Sequence, residues 1–315
     1  MAEQDQVHLS VVIPVLDEAE SLPGLVAEIR EAVAPLHLRW ELILVDDGSR
    51  DDSFAVMRKL HAESPGQVRV IRFRRNFGKS AALQAGFAAA RGQAVITLDG
   101  DGQDDQHEIP RLLAALGEGY DLVSGWKQQR RDPLAKVLAS RLFNRVVAAL
   151  TGIRLHDFNC GFKAYRADLT RELRLYGELH RYIPVLAHAL GYRVTEIPVA
   201  HRPRTHGRSK YGLERMPRGY LDLHTVLLTT RYGSRPLHFF GSCGLVLLGL
   251  GLVINLYLSA LWLLHYRPIG DRPLLLLGVL LLIAGIQLIS LGLVGEMIVS
   301  RDEGRITYSI AERLD

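Results

Sequence analysis

Short apolar runs alternate with segments of helical spacing along the first part of the chain. Four runs have the continuous apolar character of buried strands: HLSVVIP, WELILVDDGS, VRVIRF and AVITL. Apolar residues recur at helical spacing in three segments that follow: Ser21 to Ala34, Asp52 to Glu63 and Ser80 to Ala90. This alternation predicts an α/β, Rossmann-like domain with a mostly parallel, doubly wound sheet. No Gly-x-Gly-x-x-Gly follows any of these strands, so a dinucleotide site is not expected.

The same alternation continues beyond the fourth strand. We predict helices at Glu108 to Leu116 and Tyr182 to Leu190, a strand at Asp121 to Ser124, and two more strands within FNCGFKAYR and RVTEIPV. A basic loop follows Ser124 and begins at Lys127.

Two further helices are predicted to be amphipathic and basic, at Leu134 to Leu150 and Leu213 to Thr230. A cationic amphipathic helix can lie in the plane of lipid headgroups. The alternative is a surface helix docked on the domain.

Two long stretches near the C-terminus contain no Asp, Glu, Lys or Arg: Leu237 to Tyr266 and Pro273 to Gly295. Each exceeds the ~20 residues needed to cross a bilayer, which predicts two transmembrane helices. The alternative is a buried helical hairpin in a soluble protein. More arginines flank the pair than lie in its connector, so we expect the large domain and both termini on the cytoplasmic side of the plasma (inner) membrane.

These patterns predict four segments in order along the chain. They are a catalytic domain (1–212), a juxtamembrane helix and linker (213–236), two transmembrane helices (237–299) and a cytoplasmic tail (300–315).

Composition narrows the class of partner. The net charge is +4, and no nucleic-acid reader motif is present, so a phosphorylated compound or a membrane surface is the expected partner rather than nucleic acid. Two cysteines imply no disulfide framework. The N-terminal segment lacks the features of a cleaved signal peptide.

The stretch AVITLDGDGQDDQ carries the candidate chemistry. A buried strand leads into alternating carboxylates and glycines, and open α/β sheets bind ligands at such strand ends. Carboxylate and amide oxygens suit Mg²⁺ or Mn²⁺, which commonly take only one or two carboxylates plus substrate phosphates. The alternative is an acidic turn that only satisfies turn geometry.

Five motifs in this order extend the picture: SVVIPVLDEAESLP, ELILVDDGSRDDS, ITLDGDGQD, FNCGFKAYR and RPRTHGRSKYG. With them the chain resembles the family 2 glycosyltransferases of GT-A type over roughly residues 8 to 230. More narrowly, it is similar to the polyprenyl-phosphate branch, which includes dolichol-phosphate mannosyltransferase and bactoprenol glucosyltransferase.

The resemblance implies an inverting, metal-dependent transfer of sugar from a UDP- or GDP-sugar to undecaprenyl or dolichyl phosphate, for cell-envelope glycan or lipid modification. It implies that Asp101 and Gln103 hold Mg²⁺ or Mn²⁺, and that Asp101 and Asp157 are the catalytic residues. The implied donor contacts are Pro14, Leu16, Glu18, Val45, Asp47, Asp99, Gly100, Lys127, Arg204 and Lys210.

Several of these assignments have open alternatives. Asp46 and Asp47 also fit an Asx turn before Gly48. The family often has tyrosine at Leu16 and arginine at Lys127, and lysine lacks the bidentate geometry of arginine. Asp157 also fits a turn cap before Asn159. Two residues, Arg204 and Lys210, also fit a solvated charge run.

The acceptor phosphate, with a second pKa near ~6, is already a nucleophile at neutral pH, so a strong general base is unnecessary. From the residues themselves we expect its ligands on or beside the first amphipathic helix: Arg130, Arg131, Ser140 and Arg141. Small residues in the membrane helices make a homo-oligomer possible. The alternative function is a catalytically idle membrane scaffold for a glycan flippase or a modifying complex. A processive polysaccharide synthase is not expected, because the chain lacks a Gln-x-x-Arg-Trp motif.

Overall fold

Seven strands form one sheet in a computed structural model that describes residues 6–128, 144–202, 222, 224–226, 228–233, 235–264 and 273–301. The strands are β1 (Leu9–Val15), β2 (Trp40–Asp46), β3 (Val68–Arg72), β4 (Ala94–Thr97), β5 (Leu122–Lys127), β6 (Lys163–Arg166) and β7 (Val194–Val199). Their order across the sheet is β3-β2-β1-β4-β6-β5-β7. Only β6 runs antiparallel to its neighbours, β4 and β5, so the predicted mostly parallel sheet is confirmed.

The described helices are α1 (Leu22–Val33), α2 (Ser53–Glu63), α3 (Lys79–Ala89), α4 (Ile109–Gly117), α5 (Ala167–Glu172), α6 (Ile183–Ala189), α7 (Pro236–Leu263) and α8 (Pro273–Arg301). Residues 144–151, 224–226 and 228–231 are also helical. The structure differs from the sequence-based prediction in two places. α5 was not predicted, and β5 extends three residues further to include Lys127, which we had placed in a loop.

The core follows from strands that are buried on both faces. Every residue of β1 except Pro14 is buried, and its odd-numbered members pack with the apolar sides of α1, α2 and α4. On the other face, Gly86 of α3 approaches Val12 so closely that an added Cβ would lie 2.2 Å from Val12 Cγ1. Helices on both faces leave the carboxyl edge of the sheet as the place where loops converge.

A buried carboxylate joins four segments at the opposite edge. Glu41 is 1% exposed and accepts hydrogen bonds from Ser10 Oγ (2.7 Å), the Arg91 backbone N–H (2.8 Å) and Arg69 Nη1 (3.1 Å). Arg91 Nη2 lies 2.8 Å from the second Glu41 oxygen. Burial alone raises the pKa of Glu41, but these hydrogen bonds outweigh it and lower the pKa below its usual value.

The chain divides into two compact units, Met1–Val226 and Leu227–Asp315. The second contains α7 and α8, which by length and composition are two candidate membrane spans. Large apolar side chains face outward, including Leu245 (64% exposed) and Leu276 (74% exposed).

Glycines line the contact between these two helices. A Cβ on Gly244 would lie 2.7 Å from the Gly285 carbonyl oxygen, and one on Gly251 would lie 2.7 Å from the Gly278 carbonyl oxygen. These pairs run in opposite directions along the chain, so the helices are antiparallel. At the end of the pair, Glu296 accepts a hydrogen bond from the Leu237 N–H (3.2 Å), in the first turn of α7.

Candidate active site

The loop after β1 and the acidic segment after β4 lie side by side. Ser21 Oγ donates to the Gly100 carbonyl oxygen at 2.7 Å. A Cβ on Gly100 would lie 3.3 Å from the Pro14 carbonyl oxygen and 3.7 Å from Glu18 Cγ. The structure therefore brings Pro14, Glu18 and Gly100 together, as expected for parallel neighbouring strands.

The two aspartates that end β2 have different surroundings. Asp46 Oδ1 accepts from the Ser49 N–H (2.8 Å), three residues on, and so caps the turn that contains Gly48. Asp47 instead accepts from the backbone N–H groups of Phe77 (2.7 Å) and Gly78 (3.0 Å), just before α3. Burial raises the pKa of Asp47 above its usual value despite these two bonds. Asp46 thus stabilises the turn around Gly48, although by a bond to the third residue on rather than by an Asx turn. Asp47 instead ties β2 to the loop before α3.

Leu16 and Val45 lie at the same edge. Leu16 follows β1 and is half-buried, whereas Val45 is fully buried within β2. Val45 pairs in register with Pro14.

Asp99 forms an ion pair with Lys79 at the start of α3. Burial raises the pKa of Asp99, but the charges of Lys79 and Lys127 outweigh that effect and hold the pKa well below its usual range. Gly161 leaves room for this carboxylate, since a Cβ there would lie 2.5 Å from Asp99 Oδ1. Asp99 is therefore ionised and closely confined.

Asp101 and Gln103 are the predicted metal ligands, and both are half-buried beside Asp99. Asp101 Oδ1 accepts from the Gln103 N–H at 3.2 Å, which holds the two residues in one turn. Within the described residues no group of three or more His, Cys, Asp or Glu side chains could hold a metal. The oxygens of Asp101 and Gln103 nevertheless fit a hard cation that takes its remaining ligands from substrate phosphates and water.

Lys127 is engaged by a carboxylate of the same acidic segment. Its Nζ lies 2.7 Å from Asp104 Oδ1, and Asp104 is 1% exposed. Burial lowers the pKa of Lys127, but the Asp104 charge outweighs it and raises that pKa above its usual range. Lys127, a predicted donor contact, is therefore the counter-ion of Asp104 in the acidic segment.

Arg202 holds the acidic segment from another side. Its backbone N–H donates to the Gln103 carbonyl oxygen (2.8 Å), and its Nη2 lies 2.9 Å from Asp105 Oδ1. Its Nη1 lies 2.8 Å from Glu28 Oε2 on α1. Arg202 is the first residue of the motif RPRTHGRSKYG, but the sequence analysis gave it no role, because its partners are far apart in the chain.

Asp157 is 1% exposed and accepts a hydrogen bond from the Asn159 N–H (3.1 Å), so it does cap the turn before Asn159. Glu196 on β7 accepts from the N–H groups of His156 (2.8 Å) and Asp157 (3.3 Å). The His156 ring stacks on Trp126 with centroids 4.1 Å apart. These contacts fix the turn that carries the predicted catalytic carboxylate.

Sequence reasoning missed two buried basic residues near Asp99. Lys163 on β6 is 2% exposed, and its Nζ donates to the Cys160 carbonyl oxygen. His180 is held by Ser80, and burial lowers the pKa of His180 well below its usual value. The available signal for Lys163 was its place in the motif FNCGFKAYR, where it begins β6.

Six predicted site residues lie outside the residues that the structure describes: Arg130, Arg131, Ser140, Arg141, Arg204 and Lys210. Their assignments stay predictions.

Solved structures of other proteins share this fold. One is glucosyl-3-phosphoglycerate synthase from Mycobacterium tuberculosis in complex with Mn²⁺ and UDP-glucose. It is 22% identical, with a TM-score of 0.52, over 73% of this chain and 80% of that one. A mycobacterial protein is 24% identical, with a TM-score of 0.53, over 73% of this chain and 76% of that one. The mixed seven-stranded domain is thus a GT-A fold, the class predicted from sequence.

Residues 10–174 match the model of glycosyl transferase family 2, and the chain belongs to that family. Dodecaprenyl-phosphate galacturonate synthase from Rhizobium johnstonii is 39% identical over 98% of this chain and 93% of that protein. Undecaprenyl-phosphate 4-deoxy-4-formamido-L-arabinose transferase from Aeromonas hydrophila is 36% identical over 92% of this chain and 88% of that protein. The predicted family and enzyme class are confirmed.

Proposed function

We propose that this protein transfers a sugar from a nucleoside-diphosphate donor to a polyprenyl phosphate and inverts the anomeric centre. The observation that carries the proposal is the meeting of Glu18, Asp47, Asp99 and Asp101 at one carboxyl edge of the sheet. Similarity over nearly the whole chain to two polyprenyl-phosphate sugar transferases supports polyprenyl phosphate as the acceptor. No observation favours the idle scaffold.

The reaction exchanges one bond for another. The bond between the anomeric carbon and the donor diphosphate breaks, and its electron pair leaves with the nucleoside diphosphate. An oxygen of the polyprenyl phosphate forms the new bond from the opposite face of the sugar. Atoms and electrons balance without an oxidant, a reductant or a covalent enzyme intermediate.

Asp101 and Gln103 would hold Mg²⁺ or Mn²⁺, since their oxygens fit such an ion. When bound, a divalent cation stabilises negative charge on the departing diphosphate. Among the chain's own residues, Asp99 and Glu18 orient the donor from two sides, and Asp157 orients the acceptor phosphate or takes its remaining proton. The turn contacts of Glu196 keep Asp157 in place for this role.

We further propose that α7 and α8 cross the plasma membrane, with the catalytic domain and both termini on the cytoplasmic side. Apolar length supports the spans, and arginines in the segments flanking the pair support the orientation. The predicted four-segment division of the chain and a homo-oligomer belong to this proposal.

The two relatives named above differ in the class of sugar that they transfer. The two relatives are named for a uronic acid, which carries a carboxylate, and for a formamido sugar, which is uncharged. Either class fits the nucleotide and metal assignments above.

The test is a donor panel. Purified full-length protein receives UDP- and GDP-sugars with undecaprenyl phosphate and Mn²⁺, and mass spectrometry detects the sugar-lipid. We expect product from at least one donor, and none after the metal is chelated. Absence of sugar-lipid with every donor, from protein that is folded and membrane-inserted, would contradict the proposed function.

A further inference from the structure

An exposed aromatic ring lies on the loop that joins β3 to α3. Among the Phe, Tyr and Trp residues that the structure describes in the first unit, only Phe77 (53%) and Tyr176 (57%) are exposed. The Phe77 ring meets the Phe73 ring at a right angle, with centroids 5.6 Å apart, and the Arg75 guanidinium lies 4.4 Å from the Phe77 centroid. A single exposed apolar side chain is ordinary in itself. The support beneath Phe77 is what distinguishes it.

The backbone of this loop is held at two points. The Phe77 N–H donates to Asp47 Oδ1 at 2.7 Å, and the Gly78 N–H donates to Asp47 Oδ2 at 3.0 Å. Gly48 approaches the loop so closely that an added Cβ would lie 2.6 Å from the Arg75 carbonyl carbon. The loop is therefore fixed against the turn after β2. A ring presented on such a loop can bind a ligand without a further cost for ordering the backbone.

Phe77 lies on the side of the site toward which a bound donor nucleotide would extend. The predicted metal ligand Asp101 follows β4 and Asp47 follows β2, with β1 between these two strands. At the usual strand spacing of ~4.8 Å, the ends of β2 and β4 are roughly 10 Å apart. On the other side of β4 lies β6, which follows the Asp157 turn proposed for the acceptor. A nucleotide held at Asp101 by its diphosphate would therefore direct its base toward Asp47 and Phe77.

Asp47 also connects this ring to the loop after β1. The Asp47 backbone N–H donates to the Val15 carbonyl oxygen at 2.8 Å, so Leu16 and Phe77 lie on either side of Asp47. Leu16 is aliphatic and half-buried and has no π-face to offer a planar group. Phe77 is thus the exposed aromatic residue described at this part of the sheet edge.

We propose that the Phe77 ring stacks on the nucleobase of the donor. Every nucleobase has a flat π-face, and removal of a stacked aromatic side chain commonly weakens binding by about 5- to 150-fold. The inference rests on the proposed function and names a contact for the nucleoside end of the donor. Phe77 takes no part in bond exchange. Its substitution leaves the backbone N–H in place, so Asp47 keeps its bond to the loop and the effect of the ring can be measured separately.

The first experiment compares ligands with and without a base. Purified full-length protein with Mn²⁺ is titrated calorimetrically with UDP, with GDP and with inorganic pyrophosphate, which has no base. We expect Phe77→Ala to weaken binding of the tighter nucleotide about 10-fold and to change pyrophosphate binding by less than about twofold. Tyr176→Ala, at the other exposed aromatic residue, is the matched control and should bind both ligands as the wild type does.

A substitution series separates stacking from packing. Phe77→Tyr and Phe77→Trp keep an aromatic face, whereas Phe77→Leu keeps only apolar volume. We expect the Tyr and Trp variants to retain nucleotide affinity within about threefold and the Leu variant to bind as weakly as Phe77→Ala. The additional indole fluorescence of Phe77→Trp should be quenched by the nucleotide and not by pyrophosphate. Thermal melting establishes that each variant is folded.

The outcomes keep this inference separate from the proposed function. Unchanged nucleotide affinity in folded Phe77→Ala overturns the stacking role, as does an equal loss of nucleotide and pyrophosphate affinity. Full affinity in Phe77→Leu shows that the residue acts through packing and overturns it as well. If Phe77→Ala does not fold, the comparison of Phe77→Leu with Phe77→Tyr decides. Each of these results leaves the transferase function standing, whereas a wild-type protein that binds neither nucleotide contradicts both.

Discussion

Gly161 gives the sharpest test of the site, because its missing side chain makes room for Asp99. A Cβ at this position would lie 2.5 Å from Asp99 Oδ1 and 2.7 Å from Asp99 Cγ, whereas ordinary contacts begin at 3.4 Å. In Gly161→Ala the carboxylate must therefore retreat by roughly 1 Å, and its pair with Lys79 must shift. Misplacement of a binding group by about 1 Å can reduce turnover about 100-fold.

We expect Gly161→Ala to lower kcat/KM by about 100-fold, equivalent to about 2.7 kcal/mol in transition-state stabilisation. Overpacking should also lower the free energy of unfolding by about 1–3 kcal/mol. The assay is the initial rate of sugar-lipid formation at saturating polyprenyl phosphate with varied donor. Gly66→Ala is the control, because no heavy atom lies within 4 Å of its ideal Cβ, and its kcat/KM should stay within about twofold of wild type.

Wild-type kcat/KM in a folded Gly161→Ala protein would refute the reasoning, since Asp99 would then tolerate a displacement that the donor is expected to detect. If the variant melts below the assay temperature, Asp99→Asn tests the same carboxylate without adding volume.

Three further predictions concern other parts of the first unit. Asp101→Asn should abolish metal-dependent sugar transfer and leave membrane insertion unchanged. Asp168→Asn, at an exposed aspartate, is the control and should be fully active. Full activity of Asp101→Asn would refute the metal assignment. Glu41→Gln should lower the free energy of unfolding by about 1.5 kcal/mol at neutral pH, because it weakens hydrogen bonds to a charged group while the arginine partners stay partly exposed. Because folding lowers the pKa of Glu41, its carboxylate stabilises the folded protein above its ordinary pKa, and this stabilisation is lost as the pH falls through the folded-state pKa. Chemical denaturation at a series of acidic pH values should therefore show the unfolding free energies of the variant and the wild type converging. A difference in unfolding free energy that does not change with pH would contradict this. Arg202→Ala should raise the Mn²⁺ concentration that gives half-maximal activity by about 10-fold, and Arg202→Lys should restore part of the loss. An unchanged Mn²⁺ requirement would show that Arg202 does not position Gln103.

Local patterns of apolar residues were sufficient to predict the fold class, a mostly parallel α/β sheet. Continuous apolar runs such as Leu9–Val15 and Trp40–Asp46 are buried on both faces, and their repetition with helices defined a parallel sheet. The strand containing Lys163 was also located, but its antiparallel pairing with β4 and β5 depends on contacts between distant segments. Such pairing leaves no periodic signal in the sequence.

The candidate site was predictable only where a motif places consecutive residues at a strand end, as it does for Asp99 and Asp101. The side chains that surround these carboxylates come from elsewhere. Lys79 begins a helix, Lys163 lies within a strand, and Arg202 follows the last strand. Lys163 and Arg202 lie inside two of the five motifs, yet the sequence does not show what any of these three residues contacts, because the contacts join segments up to 174 positions apart.

The close approach of α7 and α8 has a consequence for self-association within the bilayer. The backbones of the two helices approach closely at Gly244 with Gly285 and at Gly251 with Gly278. These glycines are therefore buried between the two helices of one chain and cannot also form a helix crossing with a second copy. Of the glycines described in α7, Gly249 is the one with no atom within 4 Å of its ideal Cβ. A dimer of α7 built on an open glycine would therefore use Gly249, and elsewhere the exposed surface of α7 mixes large residues such as Leu245 with small ones such as Ser242 and Ala260.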